Sequence, residues 1–220
     1  MKKLLIALCL ALFFAPISQA GEALQLELIG FSRNGAYVAF EQTGKIDGKG
    51  GSYAETSFMS VKHNRLEAMV RTSVKFRPEL LADAKLRNLE IPAMMKKYGI
   101  VSGNQGRFIG ITPPHKDTTI SKFFTFDRMY GLSIATKPTS TDMGGACAGF
   151  SELLIVKLEV SGKIRDLQRD TWIPAASPCA YGYQMRSAHL YGRSLAVFVS
   201  YSDVGFEGDD SRWMVITGML

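Results

Sequence analysis

Leu24-Gln25-Leu26-Glu27-Leu28-Ile29-Gly30-Phe31-Ser32-Arg33-Asn34-Gly35-Ala36-Tyr37-Val38-Ala39-Phe40-Glu41 decides the fold class. Leu24, Leu26 and Leu28 alternate with Gln25 and Glu27, the period of two of a strand with one buried face. Asn34-Gly35 is a hairpin signal, because both residues tolerate the left-handed backbone that tight turns require. Tyr37 to Glu41 supplies the returning strand. The chain therefore opens as a β-meander, continued by a glycine-rich loop over Asp47 to Ser52 and a strand over Thr56 to Val61. Lys62-His63-Asn64 closes that strand with a turn.

Farther along, the pattern changes once. Pro78 opens Glu79-Leu80-Leu81-Ala82-Asp83-Ala84-Lys85-Leu86-Arg87-Asn88-Leu89, where leucines at 81, 86 and 89 fit a helical period. Pro78 suits a first turn, and Glu79 is favourable at a helix N-terminus. Pro92 is expected to end or kink this helix, with a further turn over Ala93 to Tyr98 stopped by Gly99. From Gly99 to Lys122 the composition predicts mostly loop, with one short strand near Arg107 to Ile111. Strands resume over Tyr130 to Thr136, Leu153 to Val160 and Lys163 to Leu167. A last hairpin pairs His189-Leu190 and Ser194 to Tyr201 with Trp213 to Thr217. Gly35 to Phe40 is echoed by Gly192 to Phe198, which predicts that both ends of the chain join sheet structure. The expected fold is mainly β, an antiparallel sandwich or partial propeller-like arrangement with one α-helical insertion at about residues 78–98.

The first twenty residues read as an address. Lys2 and Lys3 precede an uncharged run, Leu4 to Ala15, then Pro16, and Ser18 and Ala20 stand at the −3 and −1 positions of a cleavable bond. The apolar run is too short for a comfortable membrane span. Residues 1–20 are thus expected to be a secretory signal and residues 21–220 one β-rich domain, without a membrane span once the signal is removed. The lysine pair and short apolar run favour the bacterial periplasm. Of 220 residues 46% are hydrophobic, which excludes a disordered chain. The net charge of +6 falls to +4 once Lys2 and Lys3 leave. The remaining basic residues are scattered, so nucleic acid is not an expected partner.

Of three cysteines, Cys9 lies in the signal. Cys147 and Cys179 remain, in the loop-like settings Gly144 to Gly149 and Pro174 to Cys179. In an oxidising compartment an even pair reads as a disulfide. Two free thiols, or a nucleophilic Cys147, are the alternatives, and the latter would need a positioned histidine.

The run Gly30 to Phe40 resembles the hairpin of a propeller blade in TolB-type repeats. More of the chain resembles a bacterial family of predicted secreted proteins of unknown function. That likeness is carried by the opening hairpin, the Asp47-Gly48 loop, Lys97-Tyr98-Gly99-Ile100, the two cysteine loops, and Gly205-Phe206-Glu207-Gly208 through Ile216-Thr217-Gly218. It implies a compartment and a β architecture, and no activity.

Chemistry is sparse. His63, His115 and His189 are far apart and form no local zinc pattern. No nucleophile elbow, Ser-x-x-Lys, His-Glu-x-x-His, dinucleotide fingerprint or phosphate loop is present. Gly44 to Gly51 leads to a strand and not to a helix, so it is not read as a phosphate cradle. Glu207, Asp209 and Asp210, with Asp47, could offer oxygens to calcium, but their order does not match an EF-hand. Tyr181, Tyr183, Tyr191, Tyr201 and Trp213 alternate as sheet-face residues do. No catalytic residue, cofactor or metal ligand is assigned. The sequence favours a non-enzymatic binding or interaction domain with an unknown protein or small-molecule partner in the cell envelope. A secreted hydrolase with dispersed catalytic residues is the alternative.

Overall fold

A computed structural model describes residues 24–46, 51–74, 89–110, 119–125, 128–139, 151–171, 179–204 and 209–220. It is dominated by strands, arranged in three four-stranded antiparallel sheets that do not close into a barrel. The first sheet is a simple meander of β1 (Gln25–Phe31), β2 (Tyr37–Ile46), β3 (Gly51–Ser60) and β4 (Arg65–Val74). A helix, α1 (Ile91–Tyr98), follows, then a short strand β5 (Arg107–Gly110). β6 (Thr119–Thr125), β7 (Arg128–Pro138), β8 (Glu152–Val160) and β9 (Lys163–Arg169) make a second meander. The chain ends with β10 (Tyr181–Tyr191), β11 (Ser194–Val204) and β12 (Asp209–Met219), joined by β5 in the order β12-β11-β10-β5.

The stacking of these sheets is written in β11. Every residue from Ser194 to Ser200 is buried, which a strand with one wet face cannot be. Leu195, Val197 and Val199 enter a core with Leu132, Ile134, Leu154, Val156 and Leu158 of the β6–β9 sheet. Ala196 and Phe198, on the opposite face, join Leu28, Phe31, Val38, Phe40 and Met59 of the first sheet. The sheet containing β11 is therefore the middle layer, with a meander on each side.

The first sheet is covered on its other face as well. Ala39 and Phe58 pack against Tyr98 and Ile100, at and beyond the end of α1. Tyr98 stacks on Phe58 at 5.4 Å between ring centroids and tilts against Tyr37 at 5.0 Å. Gly99, at φ 65°, caps α1 in the left-handed conformation, donating to Lys96 O while Ile100 N reaches Met95 O. Pro92 sits in the first turn of this helix, where its missing N–H costs nothing. Most of the helix expected over Pro78–Leu89 lies outside the described residues.

Arg65–Val74, which shows no clean alternation and received no assignment, is the strand β4. Two other expectations change. Thr119–Thr125 is β6, where loop was expected up to Lys122. Gly51 and Ser52, assigned to the glycine-rich loop, pair with Ile46 and Lys45 in β3. The Asn34-Gly35 turn is real but wider than a two-residue hairpin. Ser32 N donates to Tyr37 O, and the Asn34 carboxamide oxygen accepts from Ser32 Oγ and Ala36 N. Gly35 carries the positive φ of 71°.

The echoed hairpins at the two ends of the chain pack on each other. Val38 and Phe40 share a cluster with Ala196 and Phe198. Their turns touch too: Tyr191 OH donates to Arg33 O at 3.0 Å, and Ser194 Oγ to Gly35 O at 2.7 Å.

Candidate functional site

The apolar contact between the first and middle sheets gives out along the strands. On β2 the inward row runs from Val38 and Phe40 to Gln42, and register pairs Gln42 with Glu55 of β3 and Glu55 with Arg71 of β4. Tyr53, two residues from Glu55, lies on the same face. Side chains that would continue the core are thus replaced by an amide, a carboxylate and a guanidinium in one cross-strand row.

Tyr201 of β11, Arg212 and Trp213 of β12, and Leu24 just before β1 also line this end of the inter-sheet gap. Together these eight residues enclose a cleft of about 160 Å³. Trp213 is held by its indole N–H, which donates to Leu24 O at 2.9 Å, while Leu24 N donates to Ser211 O. Arg71 lies over the Tyr53 ring, its guanidinium carbon 4.6 Å from the centroid. Among the described residues, the side chains of Gln42, Glu55 and Arg71 have no hydrogen-bond or ion-pair partner.

Arg212 is differently placed. Its Nη2 donates to Asp210 Oδ2 at 3.0 Å, and its Nε lies 3.8 Å from Asp203 Oδ2. Asp203 and Asp210 are themselves cross-strand partners and both are buried. Burial works against the Arg212 charge, but Asp210, Tyr53 and Tyr201 more than offset it, so its pKa lies above the usual value. Among the described residues the buried Nε–H has no hydrogen-bond acceptor.

The sequence-predicted residues are dispersed. Asp210 of the acidic 207–210 segment is not open to calcium, because it is engaged by Arg212; Asp209 already belongs to β12, and Glu207 and Asp47 lie outside the described residues. Among the described residues no group of three or more His, Cys, Asp or Glu is placed to hold a metal ion. His63 is exposed in the turn before β4, and His115 lies outside the described residues. His189 is held by Gln105 O at 3.0 Å from Nδ1, with Phe108 and Phe198 edge-on at 5.4 and 5.3 Å. Burial lowers its pKa, opposed by the bond to Gln105. Cys179 is buried at the entry to β10, and Cys147 lies outside the described residues.

Of the C-terminal aromatics, Tyr183 and Tyr191 pack as sheet-face residues. Tyr183 tilts against Tyr201 at 5.4 Å, and Tyr191 stacks on Phe31 at 5.8 Å. Burial, then the negative charges of Asp170 and its neighbours, pushes the Tyr183 phenol well above its usual pKa. Tyr201 and Trp213 instead reach the cleft. Gln42, Tyr53, Glu55 and Arg71 went unread because the strand carrying Arg71 showed no alternation. Only the cross-strand register brings them together.

No helix among the described residues is long and apolar enough to cross a membrane. No curated protein and no solved structure matches the chain. The likeness of Gly30–Phe40 to a TolB-type blade gains no support, since the family match begins at Ala39. Over residues 39–219, which hold three of the four first-sheet strands and every later element, the chain belongs to the family described as predicted secreted protein (DUF2259).

Proposed function

We propose that this secreted chain is a non-enzymatic binding domain of the bacterial periplasm, and that the cleft between the first and middle sheets is its ligand site. One observation carries the reading: among the described residues, the side chains of Gln42, Glu55 and Arg71 stand in a row without hydrogen-bond or ion-pair partners, in a cleft also lined by Tyr201 and Trp213. Arg71 is exposed and Gln42 and Glu55 are half-buried, so their side-chain donors and acceptors are open to a ligand that completes the row. The volume lies below the roughly 300–1,000 Å³ of drug-sized pockets, so the site suits a small molecule or the end group of a larger one. Binding is favoured over hydrolysis because His189 is spent on a backbone carbonyl between two phenylalanines. We also propose a Cys147–Cys179 bridge, which would tie the chain entering β10 to the segment before β8.

The chain has two tryptophans, Trp172 and Trp213. Labelling the Trp172→Phe variant with 5-fluorotryptophan leaves one ¹⁹F resonance, that of Trp213. It is titrated with glucose, alanine, lactate and inorganic phosphate. A saturable shift with one of these that Arg71→Met abolishes supports the cleft as a binding site. A shift that survives Arg71→Met overturns it, as does a resonance unmoved by all four and also by N-acetylalanine and alanine methyl ester.

A further inference from the structure

We infer that the cleft takes a small carboxylic acid carrying a hydrogen-bond donor on the carbon beside the carboxylate. An α-amino acid, an α-hydroxy acid and the last residue of a peptide all present this pair of groups. The inference rests on the reading of the cleft as a ligand site and specifies its chemistry.

Charge bookkeeping singles out the recognising groups. Arg212 is one cation set against two carboxylates, Asp210 and Asp203, so it offers the cleft no spare positive charge. Arg71 is the cation left over, and Glu55 the anion. The Arg71 guanidinium sits over the Tyr53 ring and has no ion-pair partner among the described residues, so its N–H donors can take a planar, bidentate acceptor such as a carboxylate. Glu55 accepts only, so it selects a donor: an ammonium, a hydroxyl or an amide N–H. A phosphate dianion would set two charges against one available cation and against Glu55. A neutral sugar would leave Arg71 unanswered.

Register fixes the spacing. Glu55 and Arg71 are direct cross-strand partners, so their Cβ atoms stand roughly 5 Å apart. The ligand's acidic and donor groups must then sit on neighbouring atoms. The cleft of about 160 Å³ holds about five water volumes, enough for such a head group and a short side chain against Trp213.

The test is the Trp213 ¹⁹F titration of the Trp172→Phe chain with six probes: alanine, lactate, N-acetylalanine, alanine methyl ester, inorganic phosphate and glucose. At least one of the first three should bind at least about tenfold more tightly than the last three, the equivalent of one hydrogen bond to a charged group. Which of the three binds best separates free amino acid, hydroxy acid and peptide terminus. Arg71→Gln should lose at least about tenfold for that ligand with an unchanged melting temperature, and Glu55→Gln should lose affinity while keeping preference for the acid over the ester. Equal or tighter binding of the ester, phosphate or glucose overturns the carboxylate inference and leaves the cleft as a binding site. Silence of all six probes overturns the cleft reading itself.

Discussion

The carboxamide nitrogen of Asn64 lies 2.7 Å from Oε1 of Gln168, one hundred and four residues later in the chain. The same side chain accepts from Thr217 N at 2.8 Å and from Thr217 Oγ1 at 3.3 Å. Asn64 belongs to the β3–β4 turn, Gln168 to β9 and Thr217 to β12, so one amide touches all three sheets. Its φ of 46° is a conformation that asparagine tolerates better than most residues.

Replacing Asn64 separates these two roles. Asn64→Gly keeps the backbone conformation and loses the bridges, leaving the buried Thr217 N–H unpaired; a loss of about 2–3 kcal/mol is expected. Asn64→Ala adds the cost of a positive φ, about 1 kcal/mol more. Urea denaturation of both variants checks the order. Equal stability of Asn64→Gly and the unmodified chain would show that the amide does not join the sheets.

At Gly30 a β-carbon would stand 2.3 Å from Val101 O, on a backbone with φ 154°. This is the β-bulge where β1 shifts register against β2. Phe31 N, one residue on, donates to Asn104 O, so β1 is clamped to the segment after α1. Gly30→Ala should therefore cost about 3 kcal/mol or more and expose the Ile29–Phe31 amides to exchange. Wild-type protection at those amides would refute the clash.

His189 makes stability depend on pH in a defined direction. Its folded pKa lies below the unfolded value near 6.5. Between the two values the unfolded chain binds more protons, so this contribution is fully present above about pH 6.5 and is lost as pH falls toward the folded value. Removing the ring in His189→Gln should flatten the decline in unfolding free energy between pH 7.5 and 5.5. An identical slope in both proteins would assign that decline elsewhere.

The bridge and the signal are tested together. Intact mass spectrometry of chain recovered from the periplasm should show loss of residues 1–20 and of two hydrogens for Cys147–Cys179. In the chain-entropy description, closing a 32-residue separation contributes about 3–4 kcal/mol, so reduction should lower the melting temperature. Two free thiols on the unreduced chain would eliminate the bridge.

What was legible in the sequence was local. Alternation in Leu24–Leu28 and the apolar run at Leu195–Val199 announced strands, and Gly99 announced the end of a helix. β4 was not legible for a physical reason. A register shift at Phe58/Met59 breaks its pairing, and Leu66 and Met69 are about half exposed, 49% and 48%, while Val70 and Thr72 are buried. Its hydrophobic residues therefore do not mark its buried face. The cleft was illegible because it has no motif. Gln42, Glu55 and Arg71 meet through register, and Trp213 joins them only when the two ends of the chain pack together.

Trp213 connects that packing to the site. Its indole closes one wall of the cleft, fills the inter-sheet core beside Val215 and anchors Leu24 O at the head of β1. Trp213→Phe keeps an aromatic ring in the core but removes the N–H that donates to Leu24 O. The expected loss is about 1 kcal/mol, the net worth of one such bond, plus a smaller packing deficit. Because Leu24 N also donates to Ser211 O, the effect should be local: faster amide exchange at Leu24, with little change at Val197 in the middle of β11. Faster exchange throughout β11 would mean that Trp213 acts as general core packing and not as the clasp between the first strand and the last.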